Sequence, residues 1–262
     1  MQPHATINIL NAIALFVAAI FGGTLNAVAG GGSFITFPTL IFTGVKPIQA
    51  NATSSVALWP GSIASVGAYS SAITTKRGTV LLLGLVSVIG GALGALLLIH
   101  TQQSTFVALI PYLLLVATLL FAFGNTITAR VRNRMGKRSV HPWAALGGII
   151  ALQFVIAIYG GFFGGGIGIL MLAAFTVINL GDINNMNGVK ALLASCINGI
   201  AIVLFVVAGK VEWLPAAIMV IGAIIGGYGG ATVARRLDGK LVRLFVIVVG
   251  CVMTAYFFIH GA

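Results

Sequence analysis

Ala29-Gly30-Gly31-Gly32-Ser33-Phe34-Ile35-Thr36-Phe37-Pro38 decides how this chain folds. Three glycines end an apolar run of roughly twenty residues, the length that spans a bilayer. A short apolar piece follows to Phe42 and stops at Gly44-Val45-Lys46-Pro47. Phe163-Gly164-Gly165-Gly166-Ile167-Gly168-Ile169-Leu170 repeats the arrangement in the other half. An unbroken helix satisfies its own backbone in lipid, so irregular backbone at that depth must be buried in protein or line a cavity. Two such interruptions read as broken membrane helices and as the place where something polar binds.

Working outward, the chain has 262 residues, of which 59% are hydrophobic and 6% charged. A soluble domain carries about 25% charged residues, so this chain is an all-α polytopic membrane protein. Length allows roughly eight full spans of about 20 residues, with two short segments. The net charge of +11 comes from 14 Lys plus Arg against 3 acids. Those basic residues sit in short loops between apolar runs, where the positive-inside rule accounts for them, so nucleic acid is not an expected partner. Membrane lipids are, and a homodimer is a permitted assembly. Cys196 and Cys251 lie in apolar segments and read as packing residues. The first apolar run lacks a basic flank and reads as a retained helix rather than a cleaved signal.

The segment order is long, glycine break, short, polar turn, long, span, span, and then the same again. That divides the chain into an N-terminal transmembrane repeat over 1–128, a basic cytoplasmic linker over 129–142 and a C-terminal transmembrane repeat over 143–262. The linker holds Arg130, Arg132, Arg134, Lys137 and Arg138. Placing it with Lys76-Arg77 and Arg235-Arg236 in the cytoplasm gives two halves of opposite orientation and both termini outside, with ten crossing segments. Re-entrant short segments would reduce the count to eight. Trp59-Pro60-Gly61 reads as a second break or a kink, because the residue before proline is pushed from helical geometry.

An interrupted helix exposes backbone N–H groups at its new N-terminus, and these favour an anion. Gly30, Gly31, Gly32, Gly164, Gly165 and Gly166 permit backbone approach to a ligand. Ser33 and Thr36 follow the first break, as ligand donors or helix caps. Asn51, Thr53, Ser54 and Ser55 form the polar patch of the first half, and Asn184, Asn185, Asn187 and Lys190 cluster similarly in the second, with Asn198 about two turns further along the same helix as a candidate to line the path. Lys190 sits about one turn inside an apolar helix, where an ammonium needs a partner. The readings are a bound anion, a pair with Asp182, or snorkelling to the interface. Asp182, Glu212 and Asp238 all lie at segment ends, which disfavours a buried carboxylate relay. No nucleophile–base pair, metal spacing or nucleotide loop points to an enzyme, a metal or a cofactor. A secondary carrier of a small anion fits best; an anion channel and a membrane scaffold are the alternatives.

These motifs, with Gln49-Ala50-Asn51-Ala52-Thr53-Ser54-Ser55 and Met186-Asn187-Gly188-Val189-Lys190, give the chain a resemblance to the TauE/SafE family of bacterial sulfite and organosulfonate exporters. Ser33 stands where that family often has another small residue. The resemblance covers almost the whole chain. It implies a multi-pass carrier of the bacterial inner membrane for small sulfur-containing anions, and leaves open which anion.

Overall fold

In a computed structural model, residues 8–28, 31–135, 142–177, 180–234 and 239–260 are described. Gly30, Lys137, Arg138, Arg235 and Arg236 lie outside them. The described residues form ten α-helices and one 3-10 turn. These are α1 (Ile9–Val28), α2 (Ser33–Phe42), α3 (Pro47–Tyr69), α4 (Arg77–His100), α5 (Gln103–Met135), α6 (Pro142–Phe162), α7 (Ile167–Val177), α8 (Ile183–Val207), α9 (Trp213–Ala234) and α10 (Gly239–His260).

Among the described residues, four stretches are long and apolar enough to cross a membrane: Ile9–Asn26, Arg77–His100, Gln103–Gly124 and Ile183–Val207. Shorter apolar helices fill in the bundle, among them α2 and α7. The chain is thus an all-α, multi-span membrane bundle. Leu81, Leu85, Leu97, Phe123, Val155 and Val252 are exposed on its helices. In a bilayer such side chains face lipid at no cost, whereas in water they would form an aggregation-prone surface.

Helix ends follow local chemistry. Pro47 opens α3, where a missing N–H costs nothing. Asp182 caps α8, its carboxylate accepting from the Asn185 N–H at 2.7 Å. Of the two readings of Trp59-Pro60-Gly61, a break or a kink in a continuous helix, α3 takes the continuous one, and α5 differs from the sequence reading. α3 runs continuously through Pro60, because one lost hydrogen bond is tolerated when a helix is held from outside. Here the Trp59 indole N–H donates to the Ser195 carbonyl at 3.2 Å. α5 continues past Gly124 to Met135, so Arg130, Arg132 and Arg134 extend a helix rather than a loop. No breaker follows Gly124, and arginine is a good helix former.

Packing repeats between the halves. α1 lies on α9 as α6 lies on α4, α3 on α9 as α8 on α4, and α5 on α7 as α10 on α2. α3 meets α8 and α5 meets α10, so exchanging the halves leaves nearly all of this pattern unchanged. α3 runs antiparallel to α8, and α5 to α10. Trp59 touches Gly199 while Tyr69 lies beside Gly188; Tyr112 stacks edge-on with Phe258 while Thr118 meets Gly250. The α1–α9 and α4–α6 seams are built on Gly222 and Gly226, and on Gly90 and Gly94, each pair four residues apart. That spacing lets helix backbones approach closely. In the α4–α6 seam Gln153 also donates to the Ser87 hydroxyl at 2.8 Å.

Candidate functional site

The two helix breaks flank one turn of α5. Gly31 packs against the Phe121 ring, and Gly165 and Gly166 against Ala117. At the second break Gly164 and Gly166 have φ of +82° and +80°, a region that side-chain-bearing residues adopt only with strain. The chain therefore reverses between α6 and α7 without a helical residue between Phe162 and Ile167. At the first break, α2 folds back along α1: Thr36 approaches Gly22, and Gly32 approaches Asn26.

A cavity of about 120 Å³ lies between the breaks. Its floor is made by the first residues of both short helices, Ser33 of α2 with Ile167 and Gly168 of α7, together with Gly164. The N–H groups of Phe34, Ile35 and Thr36 donate to the Gly31 and Gly32 carbonyls, and those of Ile169 and Leu170 to Gly166, so what the two short helices bring to this space is the positive end of each dipole at Ser33 and at Ile167 and Gly168. α3 contributes Ser55, Leu58, Ser62 and Tyr69 to one wall; α8 contributes Asn187, Lys190, Ala191, Ala194 and Asn198 to the other. Asn26, in the last turns of α1, completes the lining.

Lys190 is half-buried, and its Nζ donates to Asn187 Oδ1 at 2.9 Å. One hydrogen is used there, and the others are free to meet a ligand. The Lys190 stem runs past Gly168, where a Cβ would lie 3.3 Å from Cδ, so any larger residue at 168 would crowd the ammonium. Asp182 does not pair with Lys190: its carboxylate is engaged in capping α8. Among the described residues, neither Ser33 nor Asn198 makes a side-chain hydrogen bond. Asn26 donates from Nδ2 to the Ser62 hydroxyl at 3.2 Å.

Of the residues expected from sequence, Ser33, Ser55, Gly164, Asn187, Lys190 and Asn198 line the cavity. The others support it. Thr36 and Ser54 are buried and share a 2.6 Å hydrogen bond between their hydroxyls, tying α2 to α3. Thr36 also donates to the Gly32 carbonyl at 3.2 Å. Asn51 donates from Nδ2 to the Phe162 carbonyl at 3.1 Å, satisfying the broken end of α6. Thr53 accepts from the Glu212 N–H at 3.0 Å, joining α3 to the loop before α9. Gly31, Gly32, Gly165 and Gly166 are packed against helices, and Gly30 is outside the described residues. Asn26, Ser62 and Tyr69 were not among the expected residues. The signal available for Ser62 was its place with Ser55 and Leu58 at helical spacing, on the stripe that Asn51 begins.

The two ends of the α3–α8 pair are closed differently. Toward Lys46 and Glu212, Phe37 sits edge-on to Phe106 and Phe163, with ring centroids 6.4 and 5.7 Å apart, and Phe106 meets Phe162 at 5.8 Å. This aromatic plug, with the Asn51 and Thr53 bonds, seals that side. The cavity instead reaches toward Tyr69 and Asn187, below the loop after α3. There Asn185, buried, accepts from the Thr74 and Thr75 N–H groups at 2.8 and 3.1 Å and donates to the Leu180 carbonyl.

A site with one ammonium, two helix N-termini and several amide and hydroxyl side chains can hold a small anion in place of its water.

The sequence profile described as "Sulfite exporter TauE/SafE" matches residues 15–257. The chain is 26% identical over 241 residues to a "Probable membrane transporter protein YfcA" of Escherichia coli strain K12, covering 92% of this chain and 87% of that protein. It is 26% identical over 242 residues to a "Probable membrane transporter protein" of Haemophilus influenzae, covering 92% of each. With a "Probable membrane transporter protein YunE" of Bacillus subtilis the identity is 24% over 266 residues, covering 91% of this chain and 96% of the relative. No solved structure matches the chain.

Proposed function

Since this chain belongs to the TauE/SafE family, and is therefore a membrane transporter rather than an enzyme, we propose that it is a secondary carrier of a small sulfur-containing anion, sulfite or an organosulfonate. The single observation that carries this reading is the convergence of both short-helix N-termini and Lys190 on one cavity. Dehydrating a small oxyanion is costly, and fixed donors with an ammonium offset that cost.

The halves act as inverted repeats that rock about the cavity, so that it opens to each side in turn. Support comes from the antiparallel run of α3 against α8 and of α5 against α10, and from packing that survives exchange of the halves. In this orientation Lys76 and the basic end of α5 face the cytoplasm of a bacterial inner membrane, and Lys46 the outside.

Single-cysteine labelling tests site and orientation together, in a background where Cys196 and Cys251 are replaced by alanine. Cysteine in place of Lys76 reacts from the cytoplasmic side and in place of Lys46 from outside; both positions are exposed. Cysteine in place of Ser62, on the cavity wall, reacts in empty protein and is protected by sulfite. Labelling of Lys46→Cys from the cytoplasm contradicts the orientation, and a Ser62→Cys rate indifferent to every anion contradicts the site.

A further inference from the structure

We propose that this cavity selects anions that carry no positive group, rejecting zwitterions of the same size and shape; the proposal rests on the anion-carrier reading and specifies the substrate class of that site. The inference comes from where the chain's carboxylates are. There are 3 acids in 262 residues. Asp182 caps α8 through the Asn185 N–H at 2.7 Å. Glu212 follows the far end of α8, beyond the aromatic plug, with its N–H on Thr53. Asp238 lies outside the described residues, between α9 and α10. Among the described residues no carboxylate lines the cavity, and Lys190 is the one charged side chain that does.

The one full charge that lines the cavity is therefore positive, and the first residues of α2 and α7 bring the positive ends of two helix dipoles beside it. An oxyanion head is satisfied by the Lys190 ammonium and the N-termini of α2 and α7. A protonated amine on the other end of the same molecule gives up its water for neutral oxygens of serine and asparagine, with a like charge nearby. An uncompensated cation in a confined site is strongly disfavoured. A hydroxyl in its place loses nothing, because Ser33 and Asn198 are free to donate or accept. Specificity here comes from a repulsive element, not from an additional contact.

The test is a matched pair of ligands differing at one group: hydroxyethanesulfonate and aminoethanesulfonate. Each is titrated at neutral pH against the purified full chain in lipid nanodiscs, in competition with sulfite. The expected result is at least about tenfold tighter binding of the hydroxyl compound. Asn198→Asp supplies the missing carboxylate and is expected to narrow the gap to within about threefold, mainly by improving the amine. Should that variant not fold, Ser62→Asp at the opposite wall serves the same purpose. Equal binding of the pair by the natural chain overturns the charge selection while leaving the anion site intact. Absence of binding by either ligand and by sulfite overturns the anion-carrier reading, and the selection with it.

Discussion

Lys190→Met is expected to weaken sulfite uptake into proteoliposomes by about 10- to 100-fold in apparent affinity, the equivalent of one charge-assisted hydrogen bond in a site withdrawn from water. Methionine keeps much of the length and the packing along Gly168, so folded protein is recovered in normal yield. The charge alone is removed. The Lys190 ammonium has one protein partner, Asn187 Oδ1 at 2.9 Å, so its loss leaves no buried carboxylate uncompensated. A paired lysine would behave otherwise: its removal would strand an acid and destabilise the fold. Lys190→Arg preserves the charge but places a larger planar group against Gly168, and is expected to fall between the two. An apparent affinity unchanged in Lys190→Met would reduce Lys190 to a packing residue at the cavity edge.

The second large effect is on assembly. A methyl group at Gly226 would collide with the Ile20 carbonyl of α1, and one at Gly94 with the Ile158 carbonyl of α6. Neither obstacle is the end of a flexible side chain, so the helices must separate. Gly226→Ala and Gly94→Ala are each expected to cost about 1–3 kcal/mol, the range for overpacking a close contact, and Leu at either position to prevent recovery of folded protein. Gly84→Ala is the control: α4 has open space there, and alanine in a helix gains up to about 1 kcal/mol over glycine. Thermal unfolding in detergent, read by loss of monodisperse protein, ranks the three. Equal stability of Gly226→Ala and Gly84→Ala would mean that the α1–α9 seam is looser than its geometry.

Much of the architecture was legible because the decisive signals are local. Glycine runs at 30–32 and 164–166 interrupt apolar sequence, and α2 and α7 begin where those runs end. Lys190 stood out because charge inside an apolar helix is rare. What could not be read was which face of α3 meets the cavity. Polar residues occupy 51 and 53–55 almost without interruption, so no periodicity separates Asn51, Thr53 and Ser54, which bind other elements, from Ser55, which lines the site. The partners that decide the matter, the Phe162 carbonyl and the Glu212 N–H, are more than a hundred residues away. The continuity of α3 through Pro60 was likewise set from outside, by the Trp59 bond to α8.

The central claim is that the cavity carries an anion across by alternating access between two halves. Counterflow of labelled sulfite in proteoliposomes tests it most directly. Vesicles are loaded with unlabelled sulfite, diluted into a trace of label with no net driving force, and sampled over time. A carrier accumulates label transiently above its outside concentration, with an initial rate that saturates and is blocked by an excess of outside sulfite. Flux that only equilibrates, rises linearly with concentration and ignores sulfite on the other side would contradict the account and leave a channel in its place.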